Sequence, residues 1–129
     1  MSQPKKFVLL GATGSIGENT LRVLRKHPDK LKLIGISAKK QANKLAEIAH
    51  EFSVPFVCLE SPPSSEVSFA KGTELLVGQE GIEALASLSE AEVVVVAVVG
   101  AAGLLPTLAA VKAGKKIVLA NKEALVVGG

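Results

Sequence analysis

Three short stretches of this chain carry residue types that could do chemistry at a useful spacing. The first is Gly11-Ala12-Thr13-Gly14-Ser15-Ile16-Gly17, with glycines at i, i+3 and i+6 between an apolar run and an amphipathic one. A tight turn at Gly11, a bare backbone at Gly14 and close packing at Gly17 would bring N–H groups and a helix N-terminus against a pyrophosphate. Gly11, Thr13, Gly14, Ser15, Ile16 and Gly17 are therefore candidate cofactor-binding residues. A purely local use of the same residues is a capping box, since Ser15 and Glu18 stand at S-x-x-E spacing. Cap and ligand site are compatible.

The second stretch, Ser37-Ala38-Lys39-Lys40, lies about 20 residues further on, where an NAD site carries an Asp or Glu for the ribose hydroxyls. A carboxylate there repels a 2′-phosphate, whereas a hydroxyl and two ammonium groups attract it. NADP(H) is the expected dinucleotide, with Ala38, Lys39 and Lys40 beside its 2′-phosphate. The bland use of the two lysines is as a solvated start to the next helix.

The third stretch, Asn121-Lys122-Glu123, interrupts the apolar sequence LANKEALVV. A Lys at such a place can hold a substrate phosphate or carbonyl, with Asn and Glu binding ribose or amide groups. The small residues of Val99-Gly100-Ala101-Ala102-Gly103 suit a close backbone approach, though tight turns need them equally.

These stretches need a frame. Apolar runs at Phe7 to Leu10, Leu31 to Ser37, Val54 to Leu59, Thr73 to Val77, Val93 to Val99 and Lys116 to Ala120 read as strands. Pro55 puts the third at a strand start or a sheet edge, and the uninterrupted Val93 to Val99 reads as a central strand buried on both faces. Between the strands, helical spacing recurs. Leu21 and Leu24 follow the glycine loop, Leu45, Ile48, Ala49 and Phe52 form a second stripe, and Ile82, Leu85 and Ala86 mark a helix from Gln79 to Leu88. Leu104, Leu108 and Val111 give the stripe of a last helix that ends at Gly114. Glu60 to Gly72 is polar and proline-containing and reads as a surface loop.

Alternating strands and helices force right-handed parallel crossovers, so the expected fold is α/β, a doubly wound, mainly parallel sheet. Ligands of such sheets sit beyond the carboxyl ends of the strands, where all three stretches fall. The chain of 129 residues is one domain's worth.

Composition removes several other classes. The net charge of +3 comes from scattered lysine pairs, and the absence of Tyr and Trp leaves little to stack on bases, so nucleic-acid binding is not expected. Val93 to Val111 has about the length and apolarity of a membrane span, but Gly100, Gly103 and Pro106 divide it into strand, turn and helix. Cys58 is the only cysteine, which excludes an internal disulfide and suits a small buried hydrophobe on a strand. With no leader-like segment, a cytoplasmic location is expected. His27 and His50 read as surface residues, no Asp follows Asp29, and no carboxylates cluster with a His at ligand spacing, so no metal site is expected in this chain.

GATGSIG, ISAKK and the block VVGAAGLLPTLAAVKAGKKIVLANKEALV together resemble the 1-deoxy-D-xylulose 5-phosphate reductoisomerase family, and the resemblance covers the whole chain. It implies a Rossmann-type NADPH-binding domain of an NADP-dependent oxidoreductase of the non-mevalonate isoprenoid pathway. By position it implies that Thr13, Gly14, Ser15 and Ile16 line the pyrophosphate and nicotinamide side. It also implies that Ala38, Lys39 and Lys40 hold the 2′-phosphate, that Asn121 and Glu123 contact cofactor, and that Lys122 contacts substrate. Many relatives have Gly-Lys-Asn or an Arg at the second segment, so Ala-Lys-Lys is a variation. The family rearranges 1-deoxy-D-xylulose 5-phosphate and reduces the product with NADPH to 2-C-methyl-D-erythritol 4-phosphate, with a divalent metal, Mg or Mn, as Lewis acid.

The family's acidic metal motif and C-terminal helical domain are not in this sequence. Residues 1–129 are thus expected to be the N-terminal cofactor domain, binding NADPH without turnover, and to be monomeric where the parent enzyme is a homodimer. Two other classes fit the glycine loop: the first domain of an NADP-dependent enzyme of the aspartate-semialdehyde dehydrogenase type, for which Cys58 is poorly placed as nucleophile, and a non-catalytic NADP(H)-sensing module.

Overall fold

The computed structural model describes residues 5–27, 30–39, 41–61, 69, 72–97 and 104–119. The chain alternates as β1 (Lys5–Leu10), α1 (Ser15–Lys26), β2 (Leu31–Ala38), α2 (Ala42–Phe52), β3 (Phe56–Leu59), β4 (Glu74–Val77), α3 (Gly78–Ala86), β5 (Val93–Val96), α4 (Leu104–Lys112) and β6 (Lys116–Leu119). The sheet has the order β4-β3-β2-β1-β5-β6 and every pairing is parallel. The strand order reverses its direction of travel on either side of β1, the arrangement at which ligands of doubly wound sheets bind beyond the carboxyl ends of the strands.

Each face of the sheet has its own core. Phe7, Leu9, Leu33, Ile36, Val57 and Leu59 pack under Leu21 and Leu24 of α1 and Leu45, Ile48 and Ala49 of α2. Val8, Leu10, Ile34, Cys58, Val94 and Val96 pack under Ile82, Leu85 and Ala86 of α3 and Ala110 of α4. Successive residues of β1 therefore serve opposite layers, the period of two that lets one central strand support both. The register of β1 on β2 shifts once, between Phe7↔Leu33 and Val8↔Gly35, which re-phases the last residues of β2 before they reach the glycine loop.

Several boundaries differ from the sequence-based expectation. Pro55 lies just before β3, an interior strand paired with both β2 and β4, so it marks a strand start and not an edge. β5 alternates half-buried Val93 and Val95 with buried Val94 and Val96, so it is not buried on both faces; residues 98 to 103 lie outside the described ones. Phe7, Val23, Leu24, Val93, Val95 and Val118 line an apolar groove of ≈ 180 Å³ between α1 and this part of the sheet.

The last helix faces a different way from its expected stripe. Pro106 and Ala110 point inward, while Leu108 and Val111 are 45% and 56% exposed. Packing on α3 as well as on the sheet favours the small side chain of Ala110, which brings two backbones close together where a leucine would hold them apart. The chain closes α4 with Gly114 N–H donating to the Val111 carbonyl and Lys115 N–H to that of Ala110. No helix among the described residues is long and apolar enough to cross a membrane.

Candidate functional site

β1 delivers the glycine loop to the carboxyl edge of the sheet. Gly11 turns the chain at φ 86°, a conformation that costs glycine little. Gly17 sits in the first turn of α1 against the strand end. A Cβ there would lie 2.7 Å from the Ala12 carbonyl oxygen, and nearer still to that of Gly11. Gly14 is exposed, and among the described residues a Cβ on it would meet nothing closer than the Gly11 oxygen at 4.0 Å, so they leave the space in front of the loop open. The three glycines thus divide the work as the spacing suggests: turn, open approach and close packing.

Gly14 is the N-cap of α1 and has no side chain to donate or accept there, so the capping box anticipated from Ser15 and Glu18 does not form. The Glu18 carboxylate instead accepts a hydrogen bond from the Lys44 ammonium of α2, which also donates to the Thr13 carbonyl at 3.2 Å. Lys44 holds the Glu18 carboxyl below the usual range, through the hydrogen bond first and its charge second. With no cap from its own sequence, the first turn of α1 keeps N–H groups for an anion.

Ser37 is placed differently from its expected role. Its hydroxyl is buried, 1% exposed, and accepts the Gly11 N–H at 2.9 Å, while its carbonyl accepts the Ala12 N–H at 2.8 Å. The hydroxyl that was to attract a 2′-phosphate is turned inward and pins the loop to β2. Ala38 is buried beside it, and among the described residues of this segment Lys39 reaches solvent. The Ala38 and Lys39 carbonyls accept N–H bonds from Glu60 and Ser61, which fixes the backbone that presents the Lys39 side chain.

The structure therefore brings Gly11, Thr13, Gly14, Ile16, Gly17, Ala38 and Lys39 to one edge of the sheet, with Ser15 entering as backbone. Lys40, Asn121, Lys122 and Glu123 lie outside the described residues, as do Gly100 and Gly103. Ser37 and Lys44 were not recognisable as loop-holding residues in the sequence. β2 is buried continuously from Leu33 to Ala38, so its pattern gives Ser37 no distinct phase, and Lys44 is one lysine among many.

The other reactive side chains lie away from this edge. Cys58 is buried on β3, and burial, with Glu60 second, pushes its thiol from 9.0 up to about 12. His27 and His50 are exposed. No group of three or more His, Cys, Asp and Glu side chains converges among the described residues, so they do not fit a divalent metal.

A glycine loop leading into a helix that has no side-chain N-cap, set at the carboxyl edge of a doubly wound parallel sheet, defines the Rossmann class of α/β domain. The family model for 1-deoxy-D-xylulose 5-phosphate reductoisomerase matches residues 7–129, and the chain belongs to that family. It is 48% identical to the 1-deoxy-D-xylulose 5-phosphate reductoisomerase of Thermodesulfovibrio yellowstonii over 97% of its length, and 45% identical to that of Ralstonia pickettii over 96%. In each case it spans 33% of the relative, so the chain corresponds to about a third of the proteins it matches.

Among solved structures, the reductoisomerase from Zymomonas mobilis in complex with NADPH superposes with a TM-score of 0.81 at 34% identity, covering 98% of this chain and 34% of that one. A reductoisomerase in complex with NADPH, fosmidomycin and magnesium superposes at 0.80 and 40% identity, covering 95% and 31%.

Proposed function

We propose that this chain is the NADPH-binding part of a 1-deoxy-D-xylulose 5-phosphate reductoisomerase. The observation that carries the proposal is the loop Gly11 to Gly17, pinned by Ser37 and open in front of Gly14. Backbone N–H groups of Thr13 to Ile16 would take the pyrophosphate, helped by the positive end of α1. Lys39, with Lys40 next to it, would pair with the adenosine 2′-phosphate, and Ala38 would leave room for the ribose. By their match to the family, Asn121 and Glu123 would complete the cofactor's contacts and Lys122 would hold substrate.

When bound, NADPH supplies the hydride for reducing the rearranged sugar phosphate. The residues here bind and orient the cofactor. A metal-ligand set would come from elsewhere in the enzyme, consistent with the third of the relatives' length that this chain represents. On this proposal residues 1–129 bind NADPH in the cytoplasm without turning over sugar phosphate, and the lone buried Cys58 suits a reducing compartment.

Titration with NADPH and NADH, followed by the cofactor's own fluorescence, tests the proposal. Saturable NADPH binding that is tighter than NADH binding is expected. Equal affinity for the two would remove the 2′-phosphate role of Lys39 and Lys40, and no binding by the full enzyme would remove the site.

A further inference from the structure

The groove between α1 and α2 is lined by Glu18, Arg22, Arg25, Lys44, Glu47 and Glu51. Arg25 and Glu51 satisfy each other at its far end, with Nε and Nη2 donating to the carboxylate at 2.6 and 2.8 Å. At the near end Lys44 bridges two different things: the Glu18 carboxylate in the first turn of α1, and the Thr13 carbonyl in the glycine loop.

That arrangement has an electrostatic consequence. A carboxylate in the first turn of a helix occupies the positive end of the dipole, the same field an arriving phosphate needs. Unpaired, Glu18 would compete with the ligand and repel it. Paired with Lys44, it forms a neutral couple anchored to the loop. Resting on the NADPH reading above, we propose that Lys44 is a positioning residue for the cofactor, neutralising Glu18 and fixing the Thr13 carbonyl so that the pyrophosphate meets an uncontested helix N-terminus.

The test compares wild type, K44M, K44R, E18Q and the double variant E18Q/K44M by NADPH titration, with urea unfolding alongside. The Lys44 and Glu18 side chains are 38% and 44% exposed, so the pair adds little stability and the variants should unfold near the wild-type midpoint. K44M should weaken NADPH on the order of tenfold by unmasking the carboxylate, and E18Q/K44M should recover to within about threefold of E18Q. K44R should stay close to wild type.

An unchanged affinity in K44M would overturn the inference. So would a loss that E18Q fails to rescue, because a lysine acting only as a structural tether is indifferent to the charge at 18. Wild-type protein that binds no NADPH would instead overturn the cofactor reading on which the inference rests.

Discussion

Replacing Gly17 with alanine sets two physical effects against each other with opposite signs. Helix propensity alone favours the change, by about 1 kcal/mol for Gly to Ala within a helix. Packing opposes it. The new Cβ would stand 2.7 Å from the Ala12 oxygen and 2.8 Å from its carbonyl carbon, inside van der Waals contact, and closer again to the Gly11 oxygen. All three are backbone atoms, and the Ala12 and Gly11 N–H groups are tied to Ser37, so no flexible side chain can swing aside. Overpacking costs about 1 to 3 kcal/mol, and a rigid backbone obstacle puts this site at the upper end. The net expectation is a loss of about 2 kcal/mol, or about 1 M off the urea midpoint for a slope near 2 kcal/mol/M. NADPH affinity should fall too, since α1 can relieve the clash only by moving off the loop. A G17A variant as stable as wild type or more so would refute the claim that strand end and helix start are in fixed close contact.

The other perturbations read different parts of the same edge. S37A leaves the Gly11 N–H without its acceptor and should cost about 1 to 3 kcal/mol in denaturant unfolding, with NADPH binding weakened; an unchanged midpoint would mean that the hydroxyl is not what holds the loop. Replacing Lys39 and Lys40 together with glutamate should weaken NADPH far more than NADH, because only the former carries the 2′-phosphate; equal losses would sink the assignment. Cys58 holds its proton more tightly in the folded chain, at about 12, than in the unfolded chain, so the folded state binds more protons across that interval. Stability should accordingly fall as pH rises from about 9 toward 12, and C58A should flatten that slope. A native Cys58 that reacts at once with a thiol reagent at neutral pH would contradict its burial.

The pieces of the fold that were legible in the sequence are those governed by local periodicity. The inward stripes Leu21/Leu24 and Leu45/Ile48/Ala49, the parallel alternation and the glycine spacing all express contacts within one element or between neighbours. What was not legible depends on where a second element arrives. The Ser37 hydroxyl faces the loop because β2 shifts register against β1, which no pattern in β2 alone reveals. Glu18 looked like half of a capping box until α2 brought Lys44 beside it. In α4 nearly every residue is apolar, so the sequence marks no preferred face, and contact with α3 selected Ala110 over Leu108 and Val111.

The placing of β1 between β2 and β5 also bears on how the molecule is made. Its pairing with β2 joins residues 26 apart, Lys5↔Leu31, whereas Phe7↔Val93 closes a loop of 86. At about 5 to 20 residues per second, a ribosome adds that stretch in roughly 4 to 17 seconds, far longer than a helix or hairpin needs to form. Through that interval Val8 and Leu10 wait for the α3 layer, and one side of β1 has unpaired backbone. High contact order of this kind slows folding, so the strand that presents the glycine loop is also the one whose completion sets the pace and whose exposed edge a chaperone would have to shield.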